Sequence, residues 1–199
     1  MGRRSIHTAE ELREHIISAA TELISHSGLT GLSAREVARR IGYSPGTIYN
    51  VFVNLDDLIL TIEGRMLDEL DATLQQLPSN PDPRARLLEL AQAYLEFTHR
   101  NPRRWNLLFE HHLPTGVDVP PSYREKLDGL LSRIETALTP IANTSDAAEL
   151  KRRSRVLWAG VHGITSLSTA DKLSNITADT AWPLVRDLVE TYLDGLKVR

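Results

Sequence analysis

Between Ser33 and Phe52 the chain reads Ser-Ala-Arg-Glu-Val-Ala-Arg-Arg-Ile-Gly-Tyr-Ser-Pro-Gly-Thr-Ile-Tyr-Asn-Val-Phe. Its second half carries small hydrogen-bonding side chains, which suit contact with base edges and phosphates in a groove of DNA. Nothing along the chain sets an acid, a base and a nucleophile into a recognisable catalytic spacing. Ser168, Asp171 and His162 occur, but no nucleophile elbow or glycine loop frames them. His111 and His112 are adjacent, so on a helix they point about 100° apart. No His-Glu-x-x-His or comparable ligand spacing is present. The expectation is a binding protein with no metal, no cofactor and no enzymatic activity.

The elements that must position these side chains follow from spacing. Ser33 is placed to cap a first short helix, with Glu36 where a capping box puts its acid. Val37 and Ile41 lie four apart on one face, and Ala38 is small where a second helix crosses. Gly42 can end the helix in the left-handed conformation. Ser44 is expected to cap a second helix with Pro45 in its first turn, and Ile48 and Phe52 point back toward Val37 and Ile41. The result is a crossed helix pair joined by a glycine-containing turn.

Around this pair, Ala9 to His26 reads as a helix with Leu12, Ile16, Ala19 or Ala20, and Leu23 on one face. Together with the Gly28-Leu29 link, Leu32-Ser-Ala-Arg-Glu-Val-Ala, Gly42-Tyr-Ser-Pro-Gly-Thr-Ile-Tyr and Phe52-Val-Asn-Leu-Asp-Asp-Leu58, this resembles the tetracycline-repressor (TetR) family. Leu157-Trp-Ala-Gly-Val-His-Gly-Ile164 resembles the Trp-x-x-x-His-Gly signature of one subgroup of its regulatory domains. The resemblance implies an all-α fold: a three-helix helix-turn-helix domain over 1–55, and a helical bundle over 56–199 for ligand binding and dimerisation.

The resemblance also assigns site residues. Tyr43, Thr47 and Asn50 stand where family members reach base edges, and asparagine can pair bidentately with adenine while a threonine methyl can touch thymine. Ser33, Arg35, Ser44 and Tyr49 match phosphate-contacting positions; Pro45 opens the reading helix, and Gly46 lets it approach the DNA backbone. Arg3 and Arg4 either trail into the minor groove or form a solvated tail. Two departures are plain. No Arg or Lys occurs from Pro45 to Phe52, and Leu55 stands where many relatives have a lysine. In the second domain the implied small-molecule pocket has Tyr94, Trp105, Phe109, Tyr123, Trp158 and His162 as candidate liners. At helical spacing such residues are core more often than ligand liners.

Composition sets limits. There are no cysteines, so disulfides, thiolate metal sites and cysteine nucleophiles are excluded. Residues 1–55 hold six arginines and five glutamates, a faint positive balance in a chain of net charge −3. The opening Met-Gly-Arg-Arg-Ser-Ile has no apolar stretch after it and carries Ile6 where a myristoylation signal has Ser or Thr, and no run approaches a membrane span. The expected location is the cytoplasm.

After Asn54, Leu58, Ile62, Met66, Leu70, Leu74 and Leu77 mark a long helix. Further helices are expected from Asp82-Pro83, from Asn101-Pro102, over Tyr123–Leu138, over Leu150–Ser168 and after Thr180, with a proline-rich loop from Leu113 to Pro121. The last two carry apolar stripes broad enough for a homodimer seam, with Gly160 and Gly163 inviting close approach. The expected activity is therefore a ligand-responsive regulator that binds a pseudo-palindromic operator as a homodimer, repression being the family expectation. Two rivals stay open: an interaction module that has lost DNA binding, and an enzyme.

Overall fold

The computed structural model describes residues 7–197, so Arg3 and Arg4 lie outside the described residues. Among the described residues the regular structure is helical, with no strand. In order these are α1 (Ala9–Ser27), α2 (Ala34–Ile41), α3 (Pro45–Tyr49), α4 (Leu55–Gln75), α5 (Pro83–Arg100), α6 (Pro102–Glu110), α7 (Pro121–Leu138), α8 (Ala147–Thr169) and α9 (Ala181–Lys197). Short 3-10 turns follow α1, α7 and α8.

The chain gathers into two compact units: Met1–Met66 with Arg103–Val119, and Leu67–Pro102 with Pro120–Arg199. This division follows burial rather than chain order. Leu107 of α6 is fully buried in the core built by α1 to α4, which returns α6 to the first unit. Helix α4 begins in the first unit and ends in the second.

In the first unit, α1 is fixed at its start by a reciprocal capping box between Thr8 and Glu11. It contributes Ile16, Ile17, Ala20, Leu23 and Ile24 to the core, where they meet Val37 and Ala38 of α2, Ile48 of α3, and Leu58, Ile59 and Ile62 of α4. The α2–α3 turn is made as its glycine requires: Gly42 sits at φ +74°, and both it and Tyr43 give their amide hydrogens to the Ala38 carbonyl. Two capping expectations are corrected. Ser33 Oγ accepts from the Glu36 amide at 3.2 Å, but the Glu36 carboxylate turns to Arg39 and leaves the capping box half made. Ser44 makes no side-chain cap; its hydroxyl shares a 3.1 Å hydrogen bond with Thr47 Oγ1.

In the second unit α5, α7, α8 and α9 pack together. Arg155 of α8 reaches Glu135 and Asp128 of α7 at 2.7 and 3.0 Å, and Tyr192 of α9 donates to the Arg153 carbonyl of α8 at 2.9 Å. A Cβ at Gly160 would stand 2.8 Å from Leu188 Cδ2, so α8 and α9 approach closely because that side chain is missing.

These backbones set opposite signs for two glycine replacements. Gly42→Ala is expected to lower the unfolding free energy by about 1–2 kcal/mol, because a Cβ is strained in the left-handed region. Gly129→Ala, inside α7 with open space around the new methyl, is expected to raise it by up to about 1 kcal/mol. Chemical denaturation of both variants beside the parent chain checks the pair.

Candidate nucleic-acid interface

Helix α3 has five residues, and only Ile48 is buried. Its remaining side chains are left to the surface: Pro45, Gly46 and Tyr49 are exposed, as are Ser44 before it and Asn50 after it, while Thr47 is half-buried. Tyr49 keeps 55 % of its surface accessible and Val53, just beyond, 86 %. A Cβ at Gly46 would meet only Ser44 Oγ, at an ordinary 3.8 Å, so packing within the unit leaves this position open. Asn50 ends the helix, its amide bonded back to the Gly46 and Ile48 carbonyls, with its side chain in solvent. The nine expected DNA-contact residues thus fall in two segments, Ser33 and Arg35 at the start of α2, and Tyr43 to Asn50 from the turn through α3.

The arginines of α2 are not equivalent. Arg39 pairs with Glu36 at 2.5 Å and Arg40 reaches Glu22 of α1 at 2.9 Å. Arg35 is exposed and makes no ion pair among the described residues. Two of the motif's three arginines are therefore neutralised by glutamates, and Arg35 is its open cation. Sequence reasoning missed the Glu22 partner because it sits eighteen residues away on another helix.

A largely buried ionic cluster lies in the same unit. His111, just after α6, places Nδ1 3.1 Å from Glu63 Oε1 and Nε2 3.1 Å from Asp56 Oδ1, both on α4. The imidazole and Glu63 are almost fully buried. Hydrogen bonding to Glu63 is the main cause that raises the His111 pKa above the usual histidine range, with Asp56 adding to it and burial opposing. A protonated ring can donate to both carboxylates, which a neutral ring cannot. No group of three His, Cys, Asp or Glu side chains suited to a metal ion occurs among the described residues.

The expected ligand liners separate into three places. Tyr94 of α5 shares a 2.8 Å hydrogen bond with His162 Nδ1 of α8, and Trp158 stacks on the same imidazole with ring centroids 5.1 Å apart. Burial lowers the His162 pKa. Tyr123, half-buried, lies on α7 of the same unit. Trp105 and Phe109 belong to α6 in the first unit, with ring centroids 6.0 Å apart. A cavity of about 900 Å³ opens in the second unit between α4, α5 and α7, and none of the six lines it. Its walls carry Arg86, Lys126 and Arg133 against Asp68, Asp71 and Glu125. Arg133 pairs with Asp71 at 2.7 Å, and Lys126 with Asp68. These polar liners lacked any aromatic signal, and only the acidic and basic turns of α4 and α7 could have pointed to them.

Comparison with known proteins gives two family matches. Residues 16–62 match the model described as bacterial regulatory proteins, tetR family, and residues 87–192 match the tetracyclin repressor-like C-terminal domain. An uncharacterized HTH-type transcriptional regulator of Mycobacterium tuberculosis is 22 % identical over 94 % of this chain and 82 % of its own length. The HTH-type transcriptional activator FasR of Mycolicibacterium smegmatis is 28 % identical over 83 % of this chain and 74 % of its own. Among solved structures, a protein of unknown function from Rhodococcus sp. RHA1 superposes with a TM-score of 0.76 at 21 % identity, over 98 % of each chain.

The His111 cluster has a defined pH signature. Because its pKa is raised in the fold, its stabilisation is complete below the unfolded-state pKa and is lost as pH rises through the higher folded value. His111→Gln is therefore expected to melt below the parent chain near pH 6, with the gap narrowing as the pH is taken to about 9. Thermal melts across that range check it; a gap that stays constant or widens contradicts it.

Proposed function

The chain belongs to the tetR family of bacterial regulatory proteins, and on that premise we propose that it is a homodimeric, ligand-responsive DNA-binding regulator that reads a pseudo-palindromic operator with Tyr43, Thr47 and Asn50. The observation that carries this reading is the outward face of the α2–α3 pair. It presents hydrogen-bonding side chains and one open arginine on a surface that the unit's own packing leaves unused. Asn50 and Thr47 meet base edges; Ser33, Arg35, Ser44 and Tyr49 meet phosphates and set the register.

One unit of this kind holds DNA weakly, because few phosphates meet an open cation. Two copies on a two-fold axis place two reading helices about 34–36 Å apart, or a multiple of that, matching successive turns of the duplex. The second unit supports such a pairing. Val156, Ala159, Gly163 and Leu167 are all exposed and follow spacings of three, four and four, so they line one outward stripe of α8. Gly160 is accounted for by Leu188 of α9, whereas a Cβ at Gly163 would meet nothing within 4 Å in its own chain. The stripe is apolar and small, suited to close approach by the same stripe of a second copy.

The 900 Å³ cavity is of a size that takes a small-molecule effector. Leu67, Asp68 and Asp71 of α4 form part of its wall, and α4 is the helix whose first turns pack in the DNA-facing unit. A ligand that favours one of two arrangements of α4 shifts DNA affinity by a coupling of about 1–3 kcal/mol, and DNA shifts ligand affinity equally. Repression by covering a promoter is the proposed outcome. The relative named as an activator supplies the second reading, and a promoter–reporter fusion with and without the regulator separates the two.

Fluorescence anisotropy on an operator duplex tests the DNA reading. Arg35→Gln is expected to reduce the salt slope by about one, while Arg39→Gln, already neutralised by Glu36, changes it less. Asn50→Ala is expected to lose about 1–3 kcal/mol of discrimination at one base position, and Tyr49→Phe to weaken binding evenly across sequences. Equal salt slopes for the two arginine variants would sink the assigned geometry. For the pairing, light scattering at micromolar protein is expected to report a dimer for the parent and a monomer for Gly163→Trp; a monomeric parent removes the proposal.

A further inference from the structure

Just ahead of the α1 capping residue, His7 leaves the helix and reaches across to the α2–α3 turn. Its Nδ1 lies 2.8 Å from the Tyr43 hydroxyl oxygen, and the two rings are tilted with centroids 6.1 Å apart. His15 on α1 also meets the His7 ring in a T-shaped contact, with centroids 4.3 Å apart at an interplanar angle of 75°. Glu11, the acid of the same turn of α1, has its carboxylate engaged by the Thr8 amide and hydroxyl at 2.7 and 3.0 Å. His7 is thus seated between α1 and the turn, and the phenol it holds is among those assigned to DNA.

Tyr43 is otherwise poorly constrained at its tip. Its backbone is fixed by the amide bond to the Ala38 carbonyl, but its ring is only half-buried. A tyrosine in that setting swings between rotamers, and holding it costs side-chain entropy at the moment of binding. The hydrogen bond also sets what the phenol can offer. Most polar atoms on the DNA surface are acceptors: phosphate oxygens, purine N7, guanine O6 and thymine O4. For Tyr43 to give its hydrogen to one of them, its own oxygen must accept from Nδ1–H of His7.

We propose that His7, outside the helix pair itself, positions the Tyr43 hydroxyl for DNA and directs its hydrogen outward, so that His7 helps determine operator affinity. The proposal rests on the DNA-binding reading above. It makes His7 a positioning residue whose effect passes through one oxygen atom, and it gives the start of α1 a part in recognition that does not depend on touching DNA.

A double-mutant cycle read by anisotropy on an operator duplex tests it. His7→Phe keeps an aromatic ring against His15 and removes Nδ1; Tyr43→Phe removes the hydroxyl. Each is expected to weaken binding about threefold to tenfold, the range for one hydrogen bond. The double variant should bind no more weakly than the weaker single variant, because both remove the same interaction. His7→Asn, which can place an amide N–H near the position of Nδ1, is expected to restore affinity to within about twofold. Helix α1 is capped by Thr8 and Glu11 rather than by His7, so all four variants should keep the parent's circular dichroism and melting temperature. Wild-type affinity in His7→Phe, losses that multiply in the double variant, or failure of His7→Asn to recover overturns the proposal. If the parent chain binds no duplex at all, the DNA reading falls and this inference with it. A parent that binds while His7 proves indifferent leaves that reading standing.

Discussion

Five residues are too few to hold a helix in water, since nucleation alone is unfavourable and isolated helices shorter than about 12–15 residues are marginal. Helix α3 exists because Ile48 and, just after it, Phe52 are buried to within a per cent of complete. They pack among Val37, Ala38 and the apolar faces of α1 and α4. The Arg13 guanidinium closes over the Phe52 ring at 4.4 Å from its centroid. Burying two such side chains contributes roughly 1.5–3 kcal/mol each. Every exposed group on α3 takes its direction from that anchorage. The left-handed turn at Gly42 then fixes how α3 leaves α2.

This dependence explains how so lightly charged a surface can serve recognition. Arg39 and Arg40 are taken up by glutamates that brace α2, one along its own face and one from α1. Those pairs are exposed and add little stability, but they remove positive charge that would bind any duplex. What remains is a surface of directional hydrogen bonds with one open arginine. In the proposed reading such a surface discriminates by geometry, which the buried anchorage and a second copy would supply together. The His111 cluster adds a second brace, joining the end of α6 to two turns of α4 through a buried imidazole and Glu63 and a partly exposed Asp56.

Much of this was legible from spacing. Leu58, Ile62, Met66, Leu70 and Leu74, expected on one face of a long helix, are all buried along α4, whereas Leu77, expected to continue it, lies past the helix end at Gln75. Gly42 takes the left-handed conformation that its place after Ile41 implied. Periodicity reports local order, and the misses lie where it has no reach. Ser44 looked like a cap because serine before proline so often is, yet Thr47 offered its hydroxyl a nearer partner. His7 and Tyr43 are thirty-six residues apart, His111 and Glu63 forty-eight. Neither pair has a signature before the chain is folded. The aromatic residues expected around one pocket are divided in the fold for the same reason. Tyr94, Trp158 and His162 come together from α5 and α8, while Trp105 and Phe109 follow Leu107 into the first unit.

Selection of duplexes from a random library by the whole chain is the sharpest test of two-fold, groove-reading recognition, because no operator has to be chosen beforehand. The expected outcome is enrichment of an inverted repeat whose half-sites are centred about 10–10.5 base pairs apart, or a multiple of that. Asn50→Ala should enrich the same repeat with one position relaxed in each half. Recovery of unrelated sequences after repeated rounds, or of a single half-site with no two-fold partner, would contradict this mode of recognition.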